Sequence, residues 1–298
     1  MTGSTLADDL LSALDVPGDD IAPAALLLPR LERPRFDPDP YLQRIEELGR
    51  RGRMHLEGIE STRERVIALS ALLFQTLAFT GKNVLFVDPR THFIGDVLDR
   101  RIGIPIALST VYIEVGRRAG LPLEGVGFPG HFLVRCRDSE TGDLLVIDPF
   151  NRGVLLSERE CLALLREQAG ADARWSAALL AATDRRQMIL RMLNNLKRAY
   201  VALRSFPQAR RVSNLLLALE PSNATERRDR GLLSYHLEDF SAALRDLERY
   251  LQTIPHASEA EATTPSAGDE EAADEARQEF QQIWEHVKNL RRRVAALN

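Results

Sequence analysis

Apolar residues recur through the first third of the chain at three- and four-residue spacing, the period that gathers them on one face of a helix. Leu6, Leu10, Leu11 and Leu14 outline a short helix, and a proline-rich connector follows to residue 36. Near Pro40 a second helix begins, because a first-turn proline gives up an N–H that has no partner there anyway. It carries Tyr41, Ile45 and Leu48. A third starts at Ser61, with Glu64 three residues on. That spacing is a capping box, in which each side chain satisfies an orphan amide of the first turn. Its apolar positions, Val66, Ile67, Leu69, Leu72, Leu73 and Leu77, surround the axis and predict a buried helix.

Residues 83–105 read as a loop with one short helix. From Ile106 the pattern Leu108, Val111, Ile113, Val115 predicts a helix to residue 119, ended by Arg117, Arg118 and Gly120. Basic residues suit the negative end of a helix dipole, and glycine suits the left-handed C-terminal position. Then the period changes to two. Residues 122–128, 131–137 and 143–148 predict strands, the last two joined by a polar turn at Asp138–Gly142. His131 opens the second strand and Asp148 closes the third. Ser157 and Glu160 form another capping box ahead of a further helix. Helices followed by antiparallel strands define an α+β domain over residues 37–185, with 1–36 as an N-terminal extension.

Beyond residue 187 the pattern is helical throughout and repeats itself. At an offset of 34 residues, Leu203 meets Leu237, Phe206 meets Phe240, Ala209 meets Ala243, Arg211 meets Arg245, Leu217 meets Leu251 and Pro221 meets Pro255. This period, with a small residue where helices approach and a closing proline, resembles two tetratricopeptide repeats over 187–255. Residues 256–279 hold eight carboxylates and one arginine and are expected to be a solvated linker. Phe280, Ile283, Val287, Leu290, Val294 and Leu297 predict a last helix over 280–298 that caps the array.

Composition narrows the function classes. Of 298 residues, 44% are hydrophobic and 28% charged, enough for one large or two ordinary globular domains. A net charge of −4 disfavours nucleic acid as a partner, although basic clusters such as Arg210-Arg211 keep a nucleic-acid-associated regulator as the weakest alternative. The absence of an apolar run of about 18 residues argues against a membrane span, and Asp8 and Asp9 near the start argue against a secretory signal. Two cysteines, Cys136 and Cys161, are too few for a disulfide scaffold, so a cytoplasmic protein with reduced thiols is expected. No residue pattern calls for a metal or a cofactor.

The candidate chemistry lies at His131 and Asp148. A histidine titrates near neutrality, and a carboxylate fixes its tautomer, which makes the pair suited to general base catalysis. Gly130-His131-Phe132 and Val146-Ile147-Asp148-Pro149 resemble the histidine and aspartate strands of the transglutaminase-like superfamily. In that superfamily the nucleophilic cysteine stands at the N-terminus of the preceding helix. Counting back from Gly120 puts that position at Pro105, which has no nucleophile. Ser109, one turn further in, is the alternative hydroxyl. Cys136 is expected to point to the opposite face and to behave as a buried hydrophobe.

Taken together, GIPIALS (103–109), EGVGFPGHFLVR (124–135), IDPFNRG (147–153), RMLNNLKRAY (191–200) and ERRDRGLL (226–233) resemble the bacterial invasion-regulator family of the SirB type. The resemblance implies a papain-like α+β domain joined to tetratricopeptide repeats, no established reaction, and a site that commonly lacks the cysteine. It also implies a regulator, and the cleft without a nucleophile together with a groove in the repeats leads to the expectation that it binds a protein or peptide. The other reading is an amidase, protease or amide transferase that pairs Ser109 with His131 and Asp148. His92 stands where the family usually has an asparagine, and is expected as a hydrogen-bonded loop residue. In the repeats, Arg191, Asn194, Arg198, Arg228 and His236 are expected to line a concave groove. Arginine pairs bidentately with carboxylates, which suits an acidic peptide.

Overall fold

The computed structural model describes residues 5–253 and 281–292. The expected acidic linker, and both ends of the expected capping helix, lie outside the described residues. The chain divides into two compact units, residues 1–199 and 200–298.

The first unit is built on one buried helix and one antiparallel sheet. Helix α1 (Leu6–Asp15) opens with a true capping box, Thr5 accepting from Asp8 N. A short helix α2 (Ala22–Ala25) follows. Far from standing apart as an extension, this segment joins the core, for Leu10, Ile21, Leu26 and Leu28 are fully buried. Helix α3 spans Asp39–His55 with a proline in its first turn.

Helix α4 (Thr62–Ser70) departs from the sequence reading in two ways. Ser61 sits at its N-cap but makes no side-chain cap bond. Its neighbour Thr62 bonds the Ser139 hydroxyl at 2.7 Å, a tertiary contact with the 138–142 turn at the start of this helix. The helix also presents Ile67 to solvent and relaxes into a π-helical turn over Ala71–Thr76, with Leu77 N bonded to Leu72 O at 2.9 Å.

Helix α5 (Ile94–Arg100) leads to α6 (Pro105–Arg118), which is buried from Ile106 to Gly116. Arg117 and Arg118 close α6, and Gly120 takes φ +88° just beyond it, the left-handed conformation that only glycine adopts freely. The sheet comprises β1 (Glu124–Val126), β2 (Leu133–Arg137), β3 (Leu144–Asp148), β4 (Val154–Leu156) and β5 (Ala182–Thr183) in the order β4-β3-β2-β1-β5, all neighbours antiparallel. Helix α6 packs on β1 and β2. On another side Val126, Leu133 and Val146 pack with Cys161 and Leu165 of α7 (Glu158–Ala169), whose Ser157–Glu160 capping box is present as expected. Helix α8 (Arg185–Ala202) runs out of this unit.

The second unit contains α9 (Phe206–Leu219), α10 (Ala224–His236) and α11 (Phe240–Thr253). The repeat's small residues explain its packing: Ala209 and Ala243 are fully buried, and a Cβ on Gly231 would come within 2.8 Å of Leu247. Arg230 grips Asp246 through two bonds of 2.7 Å and ties α10 to α11. Within residues 281–292, which are helical, Ile283, Val287 and Leu290 bury against Leu247, Tyr250 and Leu251.

Candidate functional site

The edge of the sheet where β2 begins and β3 ends carries the candidate pair. Asp148 is the last residue of β3. His131 is not in a strand; it lies two residues before β2, in a bend entered through Gly130 at φ +65°. Strand alternation therefore says nothing about where its ring points. The bend still delivers it, and His131 Nε2 lies 2.9 Å from Asp148 Oδ1. Both side chains are buried, His131 at 7% and Asp148 at 1% exposure. A carboxylate only accepts, so Nε2 carries the proton and Nδ1 is the acceptor. Nδ1 has no hydrogen-bond partner among the described residues.

Asp148 is held as firmly as the histidine. Its Oδ1 also accepts from Phe150 N at 3.0 Å and Asn151 N at 3.2 Å, and Asn151 Nδ2 donates to Oδ2 at 2.7 Å. Phe150 stands edge-on to the imidazole with ring centroids 5.7 Å apart. The turn closes at Gly153 (φ +72°), whose N–H returns to Asp148 O at 2.7 Å. The sequence reading missed Asn151. Its only signal was position, three residues after a strand-ending aspartate.

Helix α6 supplies the third element. Its first residue is Pro105, its N-cap is Ile104, and no side chain caps it. Ile104 N donates to Thr91 O at 3.1 Å, so the 80–92 loop lies against this helix start. Proline there contributes neither a nucleophilic atom nor a backbone N–H. Ser109 is fully buried, and its hydroxyl points to Phe132 O at 3.3 Å. Cys136 is buried too, and burial pushes its thiol up to about 11.

Around the pair, His92 is 4% exposed and meets Phe86 O through Nε2 at 2.8 Å, while burial pushes its pKa down. Phe86 faces Phe150 at 6.2 Å, so an aromatic chain runs from His131 through Phe150 to a loop where Leu85, Phe86 and Val87 are exposed. Among the described residues, no three His, Cys, Asp or Glu side chains are gathered closely enough to hold a metal ion.

The five residues expected to line a repeat groove are divided between the two units. Arg191 turns into the first unit, where its guanidinium donates to Phe128 O at 2.7 Å and to His131 O, over the Phe132 ring at 5.5 Å. It braces the bend that presents His131. Asn194 Nδ2 bonds Leu190 O on its own helix at 3.0 Å, and Arg198 is exposed. In the second unit, Arg228 pairs with the adjacent Asp229 at 2.8 Å, and the exposed His236 stacks on Phe206 at 4.8 Å.

A buried helix packed on an antiparallel sheet, with a histidine and an aspartate meeting at the sheet's edge, defines a papain-like α+β architecture. Comparison with known proteins agrees. A family model described as "Transglutaminase-like superfamily" matches residues 39–194, and one described as "Tetratricopeptide repeat" matches 196–265. The "UPF0162 protein" of Xylella fastidiosa is 37% identical over 234 residues, covering 78% of this chain and 83% of that one. "Protein SirB1" of Salmonella typhimurium is 28% identical over 211 residues, 71% of this chain and 78% of that protein. "F-box only protein 21" of Homo sapiens is 30% identical over 213 residues, 66% of this chain but 33% of that protein. The chain belongs to the transglutaminase-like superfamily, in its SirB-type family with tetratricopeptide repeats.

Proposed function

We propose that this protein is a regulator that acts by binding a protein or peptide, and that its transglutaminase-like site is not catalytic. Pro105 in the first turn of α6 carries the reading. In a thiol-dependent acyl transfer, the residue at the helix start provides the attacking sulfur, and a backbone N–H there helps hold the developing oxyanion. Proline removes both. The Ser109 hydroxyl is committed to Phe132 O and lies in a fully buried turn, which disfavours the serine alternative. The intact hydrogen bond from His131 to Asp148 favours a residual hydrolase as the second reading.

Binding fits what remains. His131 Nδ1 offers an acceptor, and the exposed Leu85, Phe86 and Val87 offer apolar contact on the far side of Phe150. Tetratricopeptide repeats are themselves a common protein-binding scaffold, and the exposed Arg198 suits an acidic segment. The place of action is the cytoplasm, a reading supported by two buried free thiols and by the lack of a membrane-crossing helix among the described residues.

The test is a pair of measurements on the full chain. Wild type is expected to show no amidase or transamidase turnover. A Pro105→Cys variant is expected to gain a thiol that alkylates rapidly at pH 6, because it would stand at the N-terminus of α6. Turnover by wild type that disappears in His131→Ala or Ser109→Ala would overturn the reading.

A further inference from the structure

At the far end of β3 from Asp148 lies a second concavity, a groove of about 710 Å³. Its rim residue Asp143 and Asp148 stand five positions apart, roughly 16 Å along an extended strand. The groove forms between the β2–β3 turn, the start of α4, the start of α7 and the 175–180 segment. Its floor is apolar: Leu156, Trp175 and Leu180 are only partly buried where they cover the cluster of Val146, Cys161 and Leu165.

Its rim is acidic. Asp138, Glu140, Asp143, Glu158 and Glu160 border it, and Arg63 is the single cationic side chain there. Among the described residues, none of the six is in an ion pair. Glu160 spends one oxygen on the Ser157 cap, and Asp138 accepts from Glu140 N within its turn. Glu140, Asp143 and Glu158 are exposed. The field they make reaches inward, since Glu160 and Glu158 add to the burial that pushes the Cys161 thiol up to about 11.

We propose that this groove binds a basic, apolar-containing peptide segment of a partner protein, in which arginine or lysine side chains meet the rim and apolar ones settle on Trp175 and Leu156. Two features select that occupant. Like charges without counter-ions on one rim favour a cationic ligand and repel nucleic acid and acidic peptides. A floor of leucine and tryptophan is covered by apolar side chains, which a bare metal ion lacks, and among the described residues the carboxylates are not gathered closely enough to hold one. The proposal stands apart from the His131–Asp148 site and from the arginines of the repeats, which would take ligands of other chemistry.

The test uses the full chain with Trp284→Phe, so that Trp175 is the remaining tryptophan. A synthetic peptide alternating arginine and leucine with serine spacers is titrated at low salt, beside its glutamate counterpart and spermine. The expected result is a saturable blue shift of Trp175 emission with the arginine peptide alone. In a Glu140→Gln/Asp143→Asn/Glu158→Gln variant, affinity should fall about tenfold or more, and added salt should weaken binding in wild type. These side chains are exposed and unpaired, so the variant should keep the wild-type circular dichroism. No saturable shift, equal binding of the glutamate peptide or of spermine, or unchanged affinity in the folded triple variant would each overturn the proposal.

Discussion

The side-chain amide of Asn151 donates to Asp148 Oδ2 at 2.7 Å, on the carboxylate oxygen that His131 does not use. With Phe150 N and Asn151 N on the other oxygen, Asp148 meets four donors in all and cannot rotate to follow a moving imidazole. The carboxylate is thus a fixed post, and the ring is oriented against it.

Asn151→Ala should therefore cost about 1–3 kcal/mol of stability, the range for leaving a charged, buried acceptor short of a donor. Urea denaturation followed by circular dichroism measures this. An Asn151→Asp variant should be worse still, since it sets two carboxylates against each other. Equal midpoints for wild type and Asn151→Ala would show that Oδ2 is satisfied by something else.

Arg191→Lys keeps the charge but loses the guanidinium plane over Phe132 that carries one nitrogen, Nη2, to both carbonyls. Amide hydrogen exchange in residues 128–132 should rise relative to wild type, while the α9–α11 helices keep their protection. Unaltered exchange in that bend would mean that Arg191 is not what braces it.

Glu114 predicts a pH dependence. It is fully buried on α6 and accepts from Ile21 N at 3.0 Å and Arg118 Nη1 at 2.7 Å. Burial, with a contribution from Asp20, pushes its pKa up to about 8. The native state then holds this proton to higher pH than the unfolded chain, whose glutamates release theirs near pH 4.5. Stability should fall as pH rises through the window between those values. Glu114→Gln mimics the protonated form, so its Tm should decline less than that of wild type between pH 5 and 8. Parallel profiles would rule Glu114 out as the source.

Gly153→Ala should destabilise by more than about 1 kcal/mol, because φ is positive and the new methyl meets a side chain. An added Cβ would fall 2.2 Å from Ser70 Oγ. Thermal unfolding checks it.

Much of this fold is written in local pattern. The α6 helix, the β2 and β3 strands and the 34-residue repeat follow from period and spacing, since each carries its apolar residues at the spacing of its own element. What escaped is what depends on partners distant in sequence. β4 and β5 have three and two residues, too short to alternate, and exist because β3 and β1 offer open edges. Ser61 makes no cap bond, and the neighbouring Thr62 instead meets Ser139, a partner that no local rule can see. Arg191 looked like a groove residue by helical register, yet its partners are backbone carbonyls, which leave no mark in a sequence. His131 and Asp148 could be named from their motifs, but Asn151 was visible only once the turn had closed.

The family model begins at residue 39, whereas the first unit's core begins with Leu10. Ile21 supplies the amide that Glu114 needs, and Arg185 at the start of α8 donates to Leu14 O and Val16 O. The opening residues thus serve as a strap that closes over the central helix and is buckled by the helix leading to the repeats. What the family model spans and what must be present for the unit to hold together are different lengths of chain. A truncation drawn at the homology boundary would strip this strap, uncover a carboxylate meant for the interior, and leave a protein whose failure to bind reported only its own unfolding.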